Sequence, residues 1–135
     1  MYKSLTPNII VNDVNKTINF YTDILKFEVV MSVNRDGQTL TEDHKHHELI
    51  WALIQRDDVH IMFQQREYIL SEIPDIKMYN SNFNVLFITT DKVQEIYDEI
   101  RDKVEIVKDI YETFYNTKEF IIKDTNSAFI FFAQR

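Results

Sequence analysis

The stretch Asp43-His44-Lys45-His46-His47-Glu48 sets three of the chain's four histidines between two carboxylates. Imidazole and carboxylate are the side chains with which proteins hold zinc, iron, nickel and manganese. In an extended chain alternate residues share a side, so His44, His46 and Glu48 would point one way and could close on one ion. Their neighbours are polar too, and a solvated loop running into a strand accounts for the same residues. Other chemistry is thinner. Ser4, Ser32, Ser71, Ser81 and Ser127 lie in no G-x-S-x-G elbow. Glu42, Asp43, Glu48 and Glu119 could act as general acids or bases, but spacing alone pairs none of them. The absence of cysteine removes disulfides, thiolate metal sites and cysteine nucleophiles. A single glycine, Gly37, leaves no material for either common Gly-rich phosphate loop.

Any such residues must be positioned by elements that hydrophobic spacing defines. Residues 6–11 read as a short strand with Pro7 near its start, and Asp13 caps a helix over Val14–Leu25 whose stripe is Val14, Ile18, Tyr21, Ile24 and Leu25. Phe27–Val33 reads as a strand, Asn34–Glu48 as a polar loop, and Leu49–Gln55 and Val59–Gln65 as a hairpin about Arg56-Asp57-Asp58. Residues 66–82 read as a linker with a helical turn broken by Pro74. The order then repeats. Phe83–Thr89 is a strand, Asp91 caps a helix over Asp91–Lys103 with Val93, Ile96, Tyr97 and Ile100 on one face, and strands follow at Val104–Lys108, Lys118–Ile122 and Ala128–Ala133. The prediction is an α+β chain of two βαβββ modules, about 1–66 and 83–135, within a single domain of 135 residues. Two such sheets curling together would form a curved mixed sheet with an open cup, and a cup with a polar mouth is a ligand site by default.

Composition limits what that site could take. With 44% hydrophobic residues, ten Phe and seven Tyr, the chain has the apolar material for a core, which excludes disorder. A net charge of −7 repels nucleic-acid phosphates and favours cationic small molecules. No apolar run approaches the ~20 residues that span a bilayer, and the N-terminal residues lack a signal-peptide pattern, so a cytoplasmic location without membrane attachment is expected.

Two stretches connect these modules to a known family. In residues 12–30, NDVNKTINFYTDILKFEVV, Phe20-Tyr21 followed by Leu25 and Phe27 gives FY-x-x-x-L-x-F, with Lys26 where glycine is usual. In residues 118–134, KEFIIKDTNSAFIFFAQ, the order EF-x-x-x-DP-x-G appears with Thr125 and Ser127 in place of proline and glycine. Over essentially its whole length the chain resembles the glyoxalase/bleomycin-resistance/dioxygenase superfamily, the vicinal oxygen chelate proteins.

The resemblance implies a cup whose metal-dependent members place a His on each module's first strand and a carboxylate on the fourth or last strand. Those positions fall here on Thr6, Val85 and Phe131, with His60 the one plausible donor on the fourth strand. It therefore implies no metal and no cofactor in the cup, and a protein similar to bleomycin-resistance members that sequesters a ligand without chemistry. The expected ligand-binding residues are Asn8, Ile10, Trp51, Phe87, Phe129, Phe131 and Tyr115, on alternate strand positions or at the rim with Tyr111 and Phe114. The ligand would be a small molecule, an antibiotic or other cationic aromatic, and the chain a homodimer. The rival reading is a lyase, isomerase or dioxygenase using a rearranged metal site built from His44, His46, His47, His60 or Glu48.

Overall fold

The computed structural model describes residues 1–78 and 84–135. The chain divides into two compact units, Met1–Ser81 and Asn82–Arg135. In the first unit the elements are β1 (Asn8–Val11), α1 (Val14–Asp23), β2 (Glu28–Asn34), β3 (Thr39–Leu40), a 3-10 turn at His44–His46, β4 (Leu49–Arg56), β5 (Val59–Gln65), α2 (Arg66–Ile69) and a 3-10 turn at Pro74–Met78. The second holds β6 (Val85–Thr89), α3 (Val93–Ile100), β7 (Glu105–Glu112), β8 (Lys118–Lys123) and β9 (Phe129–Gln134). The first sheet runs β1-β5-β4-β2-β3 and the second β6-β9-β8-β7. In each, the first strand of the module lies parallel to its last, Asn8 opposite Met62 and Val85 opposite Phe129, while the other pairings are antiparallel. The two units share one topology, which is the βαβββ duplication predicted from the sequence, with β3 added at one edge.

Strand alternation gives each sheet a packed face and an open face. In the first unit Ile9, Val11, Ala52, Ile54, Ile61 and Phe63 are buried together with Val14, Ile18 and Tyr21 of α1. In the second, Phe120, Ile122, Ile130 and Phe132 are buried with Val93 and Ile100 of α3. The aromatic rings interlock: Tyr21 lies 5.0 Å from Phe63 and 5.7 Å from Phe27, and Phe120 stacks on Phe132 at 5.0 Å.

Several boundaries differ from those read in the sequence, each for a physical reason. Asp13 does cap α1, accepting from the Lys16 N–H at 3.0 Å, but the helix ends at Asp23 rather than Leu25. It ends because Lys26 adopts φ +61° and the Phe27 N–H bonds back to the Tyr21 carbonyl at 2.9 Å, a closure through a left-handed residue sealed by the Tyr21–Phe27 ring contact. Asp91 is not the cap of α3. The cap position is Lys92, its N–H taken by Thr90 Oγ1 at 3.2 Å, and the Val93 N–H is satisfied by Gln134 Oε1 at 3.0 Å. The helix consequently spans Val93–Ile100, not Asp91–Lys103. Strand β1 starts at Asn8, leaving Thr6 outside it, and the Phe83 expected to open β6 falls outside the described residues. Strand β7 continues to Glu112, so Tyr111 belongs to a strand instead of the loop beyond it.

The two positions where the family pattern has glycine carry a left-handed backbone here, Lys26 at φ +61° and Ser127 at φ +63°. That conformation costs an L-residue about 1–2 kcal/mol, against the roughly 0.5–1 kcal/mol that glycine loses through the flexible unfolded chain. Lys26→Gly and Ser127→Gly should therefore each raise the unfolding free energy by about 0.5–1 kcal/mol in urea titrations. Lys26→Val should lower it, because a β-branched side chain fits this region worst.

Candidate functional site

The histidine-rich stretch is not extended. Its 3-10 turn at His44–His46 sends His44 to Ser32 while His46 and His47 lie near Asp43, so the common side expected of His44, His46 and Glu48 does not form. His44 Nδ1 lies 2.6 Å from Ser32 Oγ, His46 Nδ1 bonds the Asp43 carboxylate, and His47 sits 3.4 Å from Asn34 Nδ2. Glu48 turns away to Arg35 at 2.6 Å. Asn15 of α1 fastens the end of the turn, donating to the His47 carbonyl and accepting from the Leu49 N–H. His60 is exposed, paired across the strands with Gln55. Among the described residues no group of three or more His, Cys, Asp or Glu is placed to hold a metal ion.

The residues read as ligand-binding fall on the two open faces. In the first unit Asn8 pairs with Met62, Ile10 with Gln64, and Gln64 in turn with Trp51, so these side chains share the face away from α1. Trp51, Gln64, Val33, Ile50, Tyr68 and Ile69 border a shallow concavity on that side. In the second unit Phe87 pairs with Phe131 and Val85 with Phe129 on the face away from α3. The Phe87 and Phe131 rings stack at 5.7 Å and 27°, and Phe87 remains 56% exposed.

Tyr115 leads to a group that sequence reading did not assemble. Glu119 is only 1% exposed and lies on the open face, opposite Ala133 on one side and Tyr111 on the other. Three hydroxyls donate to its carboxylate: Tyr111 Oη at 2.9 Å, Tyr115 Oη at 3.2 Å and Thr117 Oγ1 at 2.9 Å. The Thr113 hydroxyl lies 2.6 Å from that of Thr117, closing the hairpin turn. The available signal was register: a turn centred between Thr113 and Thr117 sets Tyr111 across from Glu119, which the shorter strand read for β7 concealed. Burial, and then the hydrogen bond to the Glu119 carboxylate, push the Tyr111 phenol up to about 12. Folding thus favours its protonated form. Stability from this source is full below the ordinary value of 10.0 and is lost as pH rises toward 12. Ultraviolet titration should show a late tyrosine step that Tyr111→Phe removes.

The model of the Glyoxalase/Bleomycin resistance protein/Dioxygenase superfamily matches residues 4–129. The chain belongs to this superfamily. Solved structures agree on the fold. TioX from Micromonospora sp. ML1 superposes with a TM-score of 0.70 at 9% identity, covering 98% of this chain and 96% of that one. A superfamily member from Sphaerobacter thermophilus DSM 20745 gives 0.70 at 14% identity, covering 100% and 98%. A bleomycin-binding protein complexed with bleomycin gives 0.63 at 17% identity, covering 99% of each chain. A search of curated protein sequences returns no match.

The superfamily's metal can be tested against the residues at its expected positions. Thr6 precedes β1, Val85 and Phe131 offer hydrocarbon only, and His60 stands exposed at the far end of its strand. Lewis-acid chemistry needs several donor atoms bound directly to one ion, and this set does not fit one. Separately, no helix among the described residues is long and apolar enough to cross a membrane.

Proposed function

We propose that this member of the superfamily is a metal-free binding protein that sequesters a small molecule, with antibiotics and other cationic aromatics as the ligand class, and that it works as a cytoplasmic homodimer. The observation that carries the reading is the uncovered Phe87–Phe131 stack. A flat aromatic surface kept 56% exposed at Phe87 costs solvation unless something planar lies against it. Trp51, Ile10 and Asn8 offer a second apolar and polar surface on the other sheet. The net charge of −7 supports a cationic ligand. That a protein of like fold binds bleomycin supports screening glycopeptides of that kind first.

In thermal denaturation, bleomycin-type glycopeptides and planar cationic drugs are the panel. A ligand at a hundred times its dissociation constant should stabilise the fold by about 2.7 kcal/mol. Mass spectrometry should recover it unchanged, as sequestration requires. Turnover, or no shift across the panel, would reject the reading. Sedimentation that finds monomers throughout the micromolar range would reject the dimer alone.

A further inference from the structure

The carboxylate of Glu119 and the hydroxyls around it have a polarity that the Phe87–Phe131 stack lacks. Tyr111 and Tyr115 each direct their one hydroxyl proton at Glu119. Each phenolic oxygen is left with its lone pairs, and among the described residues no donor bonds to either one. Glu119 has no salt-bridge partner among the described residues, so a buried negative charge rests on neutral hydroxyls. The Lys108 cation bears on an aromatic face instead, its Nζ 3.8 Å from the Tyr111 ring centroid. The result is a pole whose two phenolic oxygens are acceptors, with the Lys108 ammonium held over one ring.

Its place relative to the aromatic stack follows from the register. Glu119 pairs with Ala133 of β9, and Phe131, two residues back on β9, is its diagonal neighbour on the same face, roughly 7–8 Å away. The geometry points to a subsite for a primary or secondary ammonium group attached to a planar ring, the ring lying on Phe87 and Phe131 and the ammonium donating to the oxygens of Tyr111 and Tyr115 under the field of Glu119. This rests on the reading of the same sheet face as a ligand surface, and sharpens it: a neutral alcohol or an anion of the same shape is discriminated against. At the two phenolic oxygens such a group finds acceptors, and an ammonium satisfies them with charge-assisted bonds, whereas a hydroxyl brings one proton and no charge.

The test uses two probes of one shape, 2-naphthylmethylammonium and 2-naphthylmethanol, titrated calorimetrically into the full chain at neutral pH. The ammonium should bind about tenfold or more tightly than the alcohol. Glu119→Gln should erase that preference, because the charge that favours the ammonium over the alcohol is removed. Tyr115 is 52% exposed, so Tyr115→Phe tolerates substitution and should lower the preference even where Glu119→Gln does not fold. Phe131→Ala should weaken both probes alike. Equal affinity for the two probes, or a preference that both Glu119→Gln and Tyr115→Phe leave intact, overturns the ammonium subsite. If Phe131→Ala still weakens both, the ligand face survives. Binding of neither probe overturns the subsite and the ligand face together.

Discussion

Tyr21→Ala is expected to remove about 3–5 kcal/mol of stability, the largest single effect anticipated in this chain. Tyr21 is fully buried and its ring meets Phe20 at 5.4 Å, Phe27 at 5.7 Å and Phe63 at 5.0 Å. It joins α1 to the sheet through Phe63 and closes the end of the helix through Phe27, so truncation opens a cavity and unseals the helix end together. Domains of this size hold about 5–15 kcal/mol in all, which makes the loss a large share. Urea titration followed by circular dichroism measures it. Phe114→Ala is the control, because a ring 98% exposed should change stability by no more than about 0.5 kcal/mol.

The second large effect concerns binding. Phe131→Glu should weaken a neutral planar ligand by about 2–4 kcal/mol, the sum of a lost stacking partner and a carboxylate that the ligand would have to desolvate. The fold should tolerate the change, since Phe131 lies on the open face and is not part of the core beneath α3. Calorimetry on the variant, with its melting curve as a check on folding, reads both quantities. An unchanged affinity would place the ligand elsewhere than on the Phe87–Phe131 face.

The parts of this structure that were legible in the sequence are those set by local spacing. Val59–Gln65 alternates cleanly and is bounded by Asp57-Asp58, where Asp57 takes φ +51°, so both ends of β5 could be read. The stripe of α1 and its Asp13 cap lie within one helix length. The face alternation of β9, Ile130 and Phe132 inward against Phe129 and Phe131 outward, follows from period two. What escaped depends on partners distant in sequence. The start of α3 is fixed by Gln134, which comes from the last strand, and Asp91 looked like the cap because the local pattern offers nothing better. The Glu119 group needs the β7–β8 register, and its members appear in the sequence only as scattered tyrosines and threonines. The histidine stretch misled for the opposite reason: residue types suited to a metal were adjacent in sequence, while the turn at His44–His46 and the pull of Ser32, Asp43 and Asn34 spread them apart.

The parallel pairing of first and last strands governs how each unit is made. β1 cannot take its place until β5 exists, since Asn8 bonds across to the Met62 region, and β6 waits likewise for β9. Closing so long a loop costs chain entropy before it returns any contact, so these pairings should form late and set the folding rate. On the ribosome, a nascent chain that has emerged only as far as β4 holds Ile9 and Val11 with no strand to lie against. That interval, rather than the finished protein, is when the first unit is most exposed to misassembly.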